Sequence, residues 1–596
     1  MNILLTAINA KYIHSNLAVY SLRACAGEYR DAVELAEYTI NNQKDYILEE
    51  LYKRKPDVLC FSCYIWNIDY VTDIAREYKK LCPSVPIWVG GPEVSYEVEA
   101  FLRENPYIDG VMIGEGEDTF RELCGYYAHQ KRLIDIAGIA FRKKSADGKA
   151  GEIVFTSPRP IKDMSEIPFC YDTLDDFSNR IIYYESSRGC PFSCSYCLSS
   201  VDKTLRFRDT EIVKRELKFF IDQKVPQLKF VDRTFNCNHA HAMELWRFIK
   251  ANDNGVTNFH FEISADLLNQ EELELISDMR PGLIQLEIGV QSTNEVTIKE
   301  IHRTMKLERL KEVVKLIQSG NNIHEHLDLI AGLPYEDYDS FGRSFDEIYE
   351  LKPNQLQLGF LKVLKGSYMF EHAAEYGIVY HDKPPYEVMS TKWLSFDDVI
   401  KIKRVEDMLE VYYNSGQFEI TMKLMECIFD SAFEFFQELG DFYEANGYFG
   451  MSHSRIRRCE ILLEFLALYL HGCDNDAMTS VVLSENAGDR DNTDFDENAQ
   501  IYSMIQESLI FDLYYRENCK SRPRWATDIG SFKHMTPAYC KNGKLSHVEP
   551  FHYIFPDKHT RKLDELPKYH KEPVWALFHY DMRDPLDHQA LVEYIE

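Results

Sequence analysis

Cys190, Cys194 and Cys197 fall in the segment Tyr183-Tyr184-Glu185-Ser186-Ser187-Arg188-Gly189-Cys190-Pro191-Phe192-Ser193-Cys194-Ser195-Tyr196-Cys197. Gly189 and Pro191 mark a loop leaving an apolar run, so three thiols can converge on one soft metal centre. A structural zinc site asks for four ligands, and the nearest other cysteines, Cys170 and Cys237, belong to no second paired cluster. A tetranuclear iron–sulfur cubane held by three thiolates keeps one iron without a protein ligand. That iron is open to a substrate or cofactor.

The other cysteines carry no such pattern. Fifteen in all is an odd count, and Met1-Asn2-Ile3-Leu4-Leu5 shows no basic leader, so reduced thiols and a cytoplasmic location are expected. Cys25, Cys82, Cys427 and Cys459 sit singly in apolar stretches, and Cys60 and Cys63 end an apolar strand; all six read as small buried hydrophobes.

The cysteine loop needs a scaffold. From residue 180 onward, strands at 181–186, 227–232, 258–264, 283–289, 325–331 and 355–361 alternate with helical patterns. Six βα units predict a partial (β/α)6 barrel over 179–390, with function at the strand C-termini. Ahead of it, residues 1–130 carry five continuous apolar strands separated by amphipathic helices, which predicts a doubly wound, Rossmann-like (flavodoxin-like) α/β domain. Its ligand belongs at strand ends carrying Asn9 to Ser15, Ser62 to Asn67, Gly90-Gly91-Pro92-Glu93 and Gly114-Glu115-Gly116-Glu117. Residues 131–178 read as a linker, with a poorly ordered hairpin tip at Ser145-Ala146-Asp147-Gly148. Residues 391–596 read as a mainly helical C-terminal domain covering the barrel mouth, with Ile402, Val405, Leu409 and Tyr412 on one helix face, a buried helix over 461–470 and a mobile acidic loop at 484–498.

Composition limits the partners. With 596 residues, 45% of them apolar, the chain holds several cores, and a net charge of −29 repels nucleic acid and anionic lipid alike. No run approaches the roughly 18 apolar residues of a membrane span. Neither a membrane nor a nucleic-acid partner is expected. Lys203, Arg206 and Arg208 read as a solvated face or as contacts to an anionic substrate.

The CxxxCxxC spacing at the end of the first barrel strand, with six βα units, resembles the radical S-adenosylmethionine (radical SAM) enzymes over about 180–390. The resemblance implies a [4Fe-4S] cluster on Cys190, Cys194 and Cys197, with the open iron gripping S-adenosylmethionine and an electron cleaving its sulfonium to a 5′-deoxyadenosyl radical. Residues 230–236 resemble the end of the second strand, where Asp232 belongs to the segment that holds the methionyl amine. Glu262 becomes a polar contact to the cofactor, and residues 286–292 resemble the fourth strand. Gln291 then addresses the ribose, Arg303 the methionyl carboxylate and Tyr196 the adenine. Residues 328–334 and 360–366 resemble the fifth and sixth strands.

A doubly wound domain ahead of such a barrel resembles the cobalamin-binding subclass. Tyr12, Ser62, Gly91, Glu93, Gly114 and Glu115 are then the expected cobalamin contacts. The chain contains no Asp-x-His-x-x-Gly segment, so the expectation is either cobalt without a histidine ligand or a domain that has lost the cofactor; His14 reads as a hydrogen-bonded surface or packing residue, with an approach to cobalt as the alternative. The implied activity is cobalamin-dependent methyl transfer to an unactivated carbon or phosphorus centre of a small-molecule or peptide substrate. An external donor such as flavodoxin or ferredoxin supplies the electron. The alternatives are a radical rearrangement, ring contraction or oxidation without methylation, a transfer-RNA methylthiotransferase, and a non-catalytic iron–sulfur protein. The methylthiotransferase wants three N-terminal cluster cysteines and a basic RNA module, whereas this C-terminal region is acidic and helical.

Overall fold

Runs that are apolar on both faces can be buried only inside a covered parallel sheet, and that is where the N-terminal strands lie. The computed structural model describes residues 1–143, 151–471, 497–532, 545–556, 560, 563 and 565–595. Strands β1 (Ile3–Asn9), β2 (Val33–Thr39), β3 (Val58–Ser62), β4 (Ile87–Gly90) and β5 (Gly110–Met112) are parallel in the order β2-β1-β3-β4-β5, with amphipathic helices between them. The order reverses at β1 and β3, which opens a crevice outside their carboxyl ends.

The sheet runs further than expected. The stretch read as a linker supplies β6 (Ile139–Arg142), antiparallel to β5, and β7 (Ile153–Phe155), antiparallel to β6. They cover the hydrogen-bonding edge that β5 would otherwise expose, and their shortness hid them from pattern reading. The hairpin tip at 145–148 and residues 484–496 of the expected acidic loop lie outside the described residues.

The second sheet contains β8 (Ile182–Tyr184), β11 (Gln227–Phe230), β12 (Asn258–Ile263), β13 (Ile284–Gln291), β14 (His324–Ala331) and β15 (Gln355–Phe360), all parallel and in sequence order, as an open barrel. A small ribbon, β9 (Ser187–Arg188) with β10 (Arg206–Phe207), brackets the cysteine loop. Strand β13 shows how the lumen is made: Ile284, Leu286, Ile288 and Val290 are buried under helices, while Gln285, Glu287, Gly289 and Gln291 alternate onto the other face.

The two sheets are joined. His14, in the loop after β1, pairs in parallel with Ile181, and Ser15 Oγ donates to the Ile181 carbonyl at 2.8 Å. Arg180 meets Glu37 at 2.9 Å, with both side chains largely buried.

Helices Phe396–Leu409, Ala432–Ala445, Arg455–His471 and Glu497–Arg516 dominate the C-terminal region. Ile402, Val405, Leu409 and Tyr412 are all buried, as is Ile461 through Leu463. A β-ribbon, β16 (Val379–Tyr380) with β17 (Val388–Ser390), precedes them. Beside these helices, β18 (Ser546–Phe551), β19 (Val574–Arg583) and β20 (Ala590–Ile595) form an antiparallel sheet that the sequence reading did not include. Charged residues and Pro550 interrupt these segments and mask their alternation. Among the described residues no helix is long and apolar enough to cross a membrane.

Candidate active site at the facing strand ends

The cysteine loop is held from below. Asp232, at the end of β11, is buried and accepts from Ser186 N at 2.9 Å and from the hydroxyls of Ser186 and Ser187 at 2.6 Å each. Burial pushes its carboxyl up to about 6 against the pull of those serines. The side chain of Asp232 is therefore occupied in anchoring the loop, which leaves the backbone of its segment for the cofactor contact that the resemblance implies. Gly189 needs its φ of 85°, since a Cβ there would lie 2.5 Å from the Thr204 carbonyl oxygen.

Cys190 and Cys194 are buried and Cys197 is half-buried. Ser200 Oγ donates to the carbonyls of Cys194 and Cys197 at 2.9 and 2.6 Å, and Ser195 N donates to the Ile301 carbonyl at 2.9 Å. Burial raises the Cys194 thiol, while Arg303, with Nη1 3.9 Å from the sulfur, acts in the opposite direction. Among the described residues no three Cys, His, Asp or Glu side chains close round a single ion. A cubane draws its thiolates to three separate irons and so asks for a wider spacing.

Beside the thiols stand polar atoms without partners. Gln291 has a φ of 77°, next to a register shift in the pairing of β13 with β14. Backbone strain of this kind at a strand end is a mark of functional sites. Gln291 Oε1, Arg303 Nε and Ser195 Oγ are buried and make no hydrogen bond within the protein. Arg303 donates to the Gly289 carbonyl and, at 3.3 Å, to the Tyr196 hydroxyl. Tyr196, Gln291 and Arg303 thus lie together at the cysteine loop, and orphaned polar atoms there suit a polar ligand.

A cavity of about 790 Å³ separates the two sets of strand ends, within the usual range for small-molecule sites. Ser62, Gly91, Gly114 and Glu115 line it, as the sequence reading requires. Gly91 has a φ of 121°, and a Cβ there would sit 2.3 Å from the Cys63 carbonyl oxygen; a Cβ on Gly114 would meet open space. Glu115 is already engaged, with Arg206 Nη1 at 2.6 Å. Glu93 lies off the cavity wall and accepts from the Tyr386 hydroxyl. Tyr12 is not brought to this wall: it is 69% exposed and outside the cavity lining. His14 also lines the cavity, its Nδ1 2.6 Å from the Tyr183 hydroxyl. Arg206 and Arg208 form no solvated face; Arg208 makes a buried two-pronged pair with Glu216 at 2.6 and 3.1 Å.

Sequence reasoning missed several groups. Tyr64 and Trp66 stack with centroids 4.4 Å apart on the cavity wall. Arg188 joins the cysteine loop to the first domain through Glu117, and it also meets Glu185 of its own segment at 2.9 Å. In the lumen, Lys229 and His260 meet Glu287 at 3.0 and 2.9 Å, and His326 lies 3.1 Å from Asp328. Burial opposes ionisation of Glu287, yet His260 and Lys229 hold it at about 2. Glu262 lies in the same lumen and is pushed up to about 7 by burial and by Glu287. The alternation His324, His326, Asp328 along β14 was the available signal for a polar lumen.

Comparison with known families reproduces this layout. A B12 binding domain matches residues 3–124 and the radical SAM superfamily matches residues 184–348. Two models, for a B12 binding domain and for the radical SAM superfamily, thus match successive regions of one chain. A third family, described as a protein of unknown function (DUF4080), matches residues 374–588. The cobalamin-dependent radical SAM methyltransferase TokK of Streptomyces tokunonensis is 28% identical over 55% of this chain and 49% of its own length. The chain thus spans about half the length of that relative. The anaerobic magnesium-protoporphyrin IX monomethyl ester cyclase of Rubrivivax gelatinosus is 23% identical over 55% of this chain and 60% of its own. The solved cobalamin-dependent radical enzyme OxsB, with aqua-cobalamin and S-adenosylmethionine bound, shares the fold at a TM-score of 0.53 and 15% identity, covering 86% of this chain and 79% of its own.

Proposed function

We propose that the protein is a cobalamin-dependent radical SAM methyltransferase acting on an unactivated carbon or phosphorus centre. One observation carries this: three thiols at the end of the first barrel strand share a mouth with orphaned Gln291 and Arg303 atoms, opposite a cavity at the B12-domain strand ends. Cys190, Cys194 and Cys197 hold a [4Fe-4S] cluster; Tyr196, Gln291 and Arg303 hold S-adenosylmethionine; Ser62, Gly91 and Gly114 receive cobalamin. When bound, the cluster supplies the electron that cleaves the sulfonium, and cobalamin carries the methyl group. The protein's own part is positioning. Asp232 fixes the loop, Arg303 offers a cationic fork to a carboxylate, and the burial of the thiols keeps water from the reacting atoms.

An external flavodoxin- or ferredoxin-type donor supplies electrons. The described cysteines are all free thiols, which supports a reducing, cytoplasmic setting.

Anaerobic reconstitution with iron, sulfide and hydroxocobalamin, followed by mass analysis after reduction with S-adenosylmethionine, tests the reading. Formation of both 5′-deoxyadenosine and S-adenosylhomocysteine is expected. Deoxyadenosine alone points to the second reading, radical chemistry without methyl transfer, which the similarity to the cyclase favours.

A further inference from the structure

Two of the arginines that line the cavity, Arg188 and Arg208, pair with carboxylates, Glu117 and Glu216. Arg233 also lines the cavity and is exposed between buried Asp232 and Thr234, and among the described residues its guanidinium has no hydrogen bond or ion pair. Its backbone is fixed on both sides. Asp232 is tied to the serines, and Thr234 Oγ1 donates to the Arg233 carbonyl at 2.8 Å.

Glu262, near the end of β12, is the complementary case. Lys229 and His260 are taken by Glu287, and Asp328 lies against His326. Glu262 has no hydrogen bond or ion pair among the described residues, and burial pushes its carboxyl up. An unmatched carboxylate in such a place is costly until a cation arrives. Asn236 laces the two strand ends together, its Oδ1 accepting from Ser264 N and its Nδ2 donating to the Ser264 carbonyl, both at 2.9 Å. The parallel register of β11 and β12, with Lys229 opposite His260, and the Asn236 bridge therefore hold Arg233 and Glu262 on neighbouring strand ends, with no ion pair between them.

Two opposite charges left open on adjacent strand ends match a ligand that carries both opposite signs. On the reading given above, the amine and carboxylate of S-adenosylmethionine go to the open iron and Arg303, so the ligand is a third component. We propose that Arg233 and Glu262 form a two-point site for a zwitterionic substrate, a free amino acid or amino-acid-like small molecule. Arg233 takes the carboxylate through its planar fork, and Glu262 takes the ammonium. Glu262 thereby passes from the cofactor, where resemblance put it, to the substrate. This inference rests on the radical SAM reading of the barrel mouth.

Calorimetry on the reconstituted holoprotein with S-adenosylmethionine, using the twenty common L-amino acids, their amides and their N-acetyl derivatives as probes, tests it. At least one amino acid should bind about tenfold or more tighter than both derivatives, the worth of one charge-assisted contact. Arg233→Gln should erase the preference over the amide, and Glu262→Gln the preference over the N-acetyl form. Ratios unchanged in both variants, or no amino acid preferred over its derivatives, overturns the proposal. So does a loss of S-adenosylmethionine affinity in the variants with the ratios intact, which would return the two charges to the cofactor. These ratios are read without turnover, so they judge the pair separately from deoxyadenosine formation, whose absence in the wild type would instead sink the radical reading.

Discussion

Asp232 and Glu262 are both buried carboxylates at barrel strand ends, and their surroundings give them opposite duties. Asp232 satisfies three donors below the cysteine loop. Asp232→Ala strands those donors, at about 1–3 kcal/mol for a buried unsatisfied group. A lower melting temperature and reduced iron content after reconstitution are expected; unchanged iron content would detach Asp232 from the loop. Glu262 has no such donors and is pushed up to about 7, from an ordinary 4.5. Between those two values the folded chain keeps a proton that the unfolded chain has released, so this carboxyl's contribution to stability is lost as pH rises through the window. Relative to wild type, Glu262→Gln should gain on the order of 1–3 kcal/mol between pH ~4.5 and ~7 and stay level above it. Denaturant titrations of the two proteins across that range measure the difference, and a pH-independent difference would remove the assigned strain.

The strand ends make their own prediction, through glycines whose needs differ. At Gly91 a Cβ would collide with the Cys63 backbone, whereas at Gly114, φ 75°, it would meet nothing. Gly91→Ala should therefore disrupt the cavity wall and lose retained hydroxocobalamin after gel filtration. Gly114→Ala should cost only its backbone strain, about 1 kcal/mol, and keep most of the corrin. Equal retention in the two variants would place the corrin elsewhere. At this scale the sequence was readable wherever burial imposed a period. β1, β3, β4 and β5 are almost wholly apolar because both faces are covered, β2 at the sheet edge carries Glu34 and Glu37, and the thiol trio declared itself by spacing. β6 and β7 were too short to show a period, and β18 to β20 carry charges and a proline. Tyr12 was placed by its loop alone, and a loop's position does not say which way a side chain turns. The unmatched state of Arg233 and Glu262 was invisible for another reason: pairing is a property of neighbours that only the fold brings together.

Across the whole molecule, one apolar core runs from the first sheet through the barrel into the C-terminal helices. Phe433 presses on the barrel helix Tyr338–Tyr349, where a Cβ on Gly342 would lie 2.8 Å from its ring, and Tyr386 reaches across to Glu93. Phe433 and Tyr386, both inside the matched region 374–588, thus pack this part of the chain against the barrel and the first domain. Truncation to residues 1–390 should expose Phe341 and Phe345 and yield aggregated, dye-binding protein by size-exclusion chromatography and fluorescence. A monodisperse truncated chain that retains iron would show this packing to be dispensable.

The central claim concerns one open iron, and electron paramagnetic resonance of the anaerobically reconstituted, reduced protein tests it most directly. A [4Fe-4S] signal whose g-values shift when S-adenosylmethionine is added, and which Cys194→Ala abolishes, is the predicted result. Four-coordinate zinc in place of iron, or a cluster signal indifferent to S-adenosylmethionine, would contradict the account.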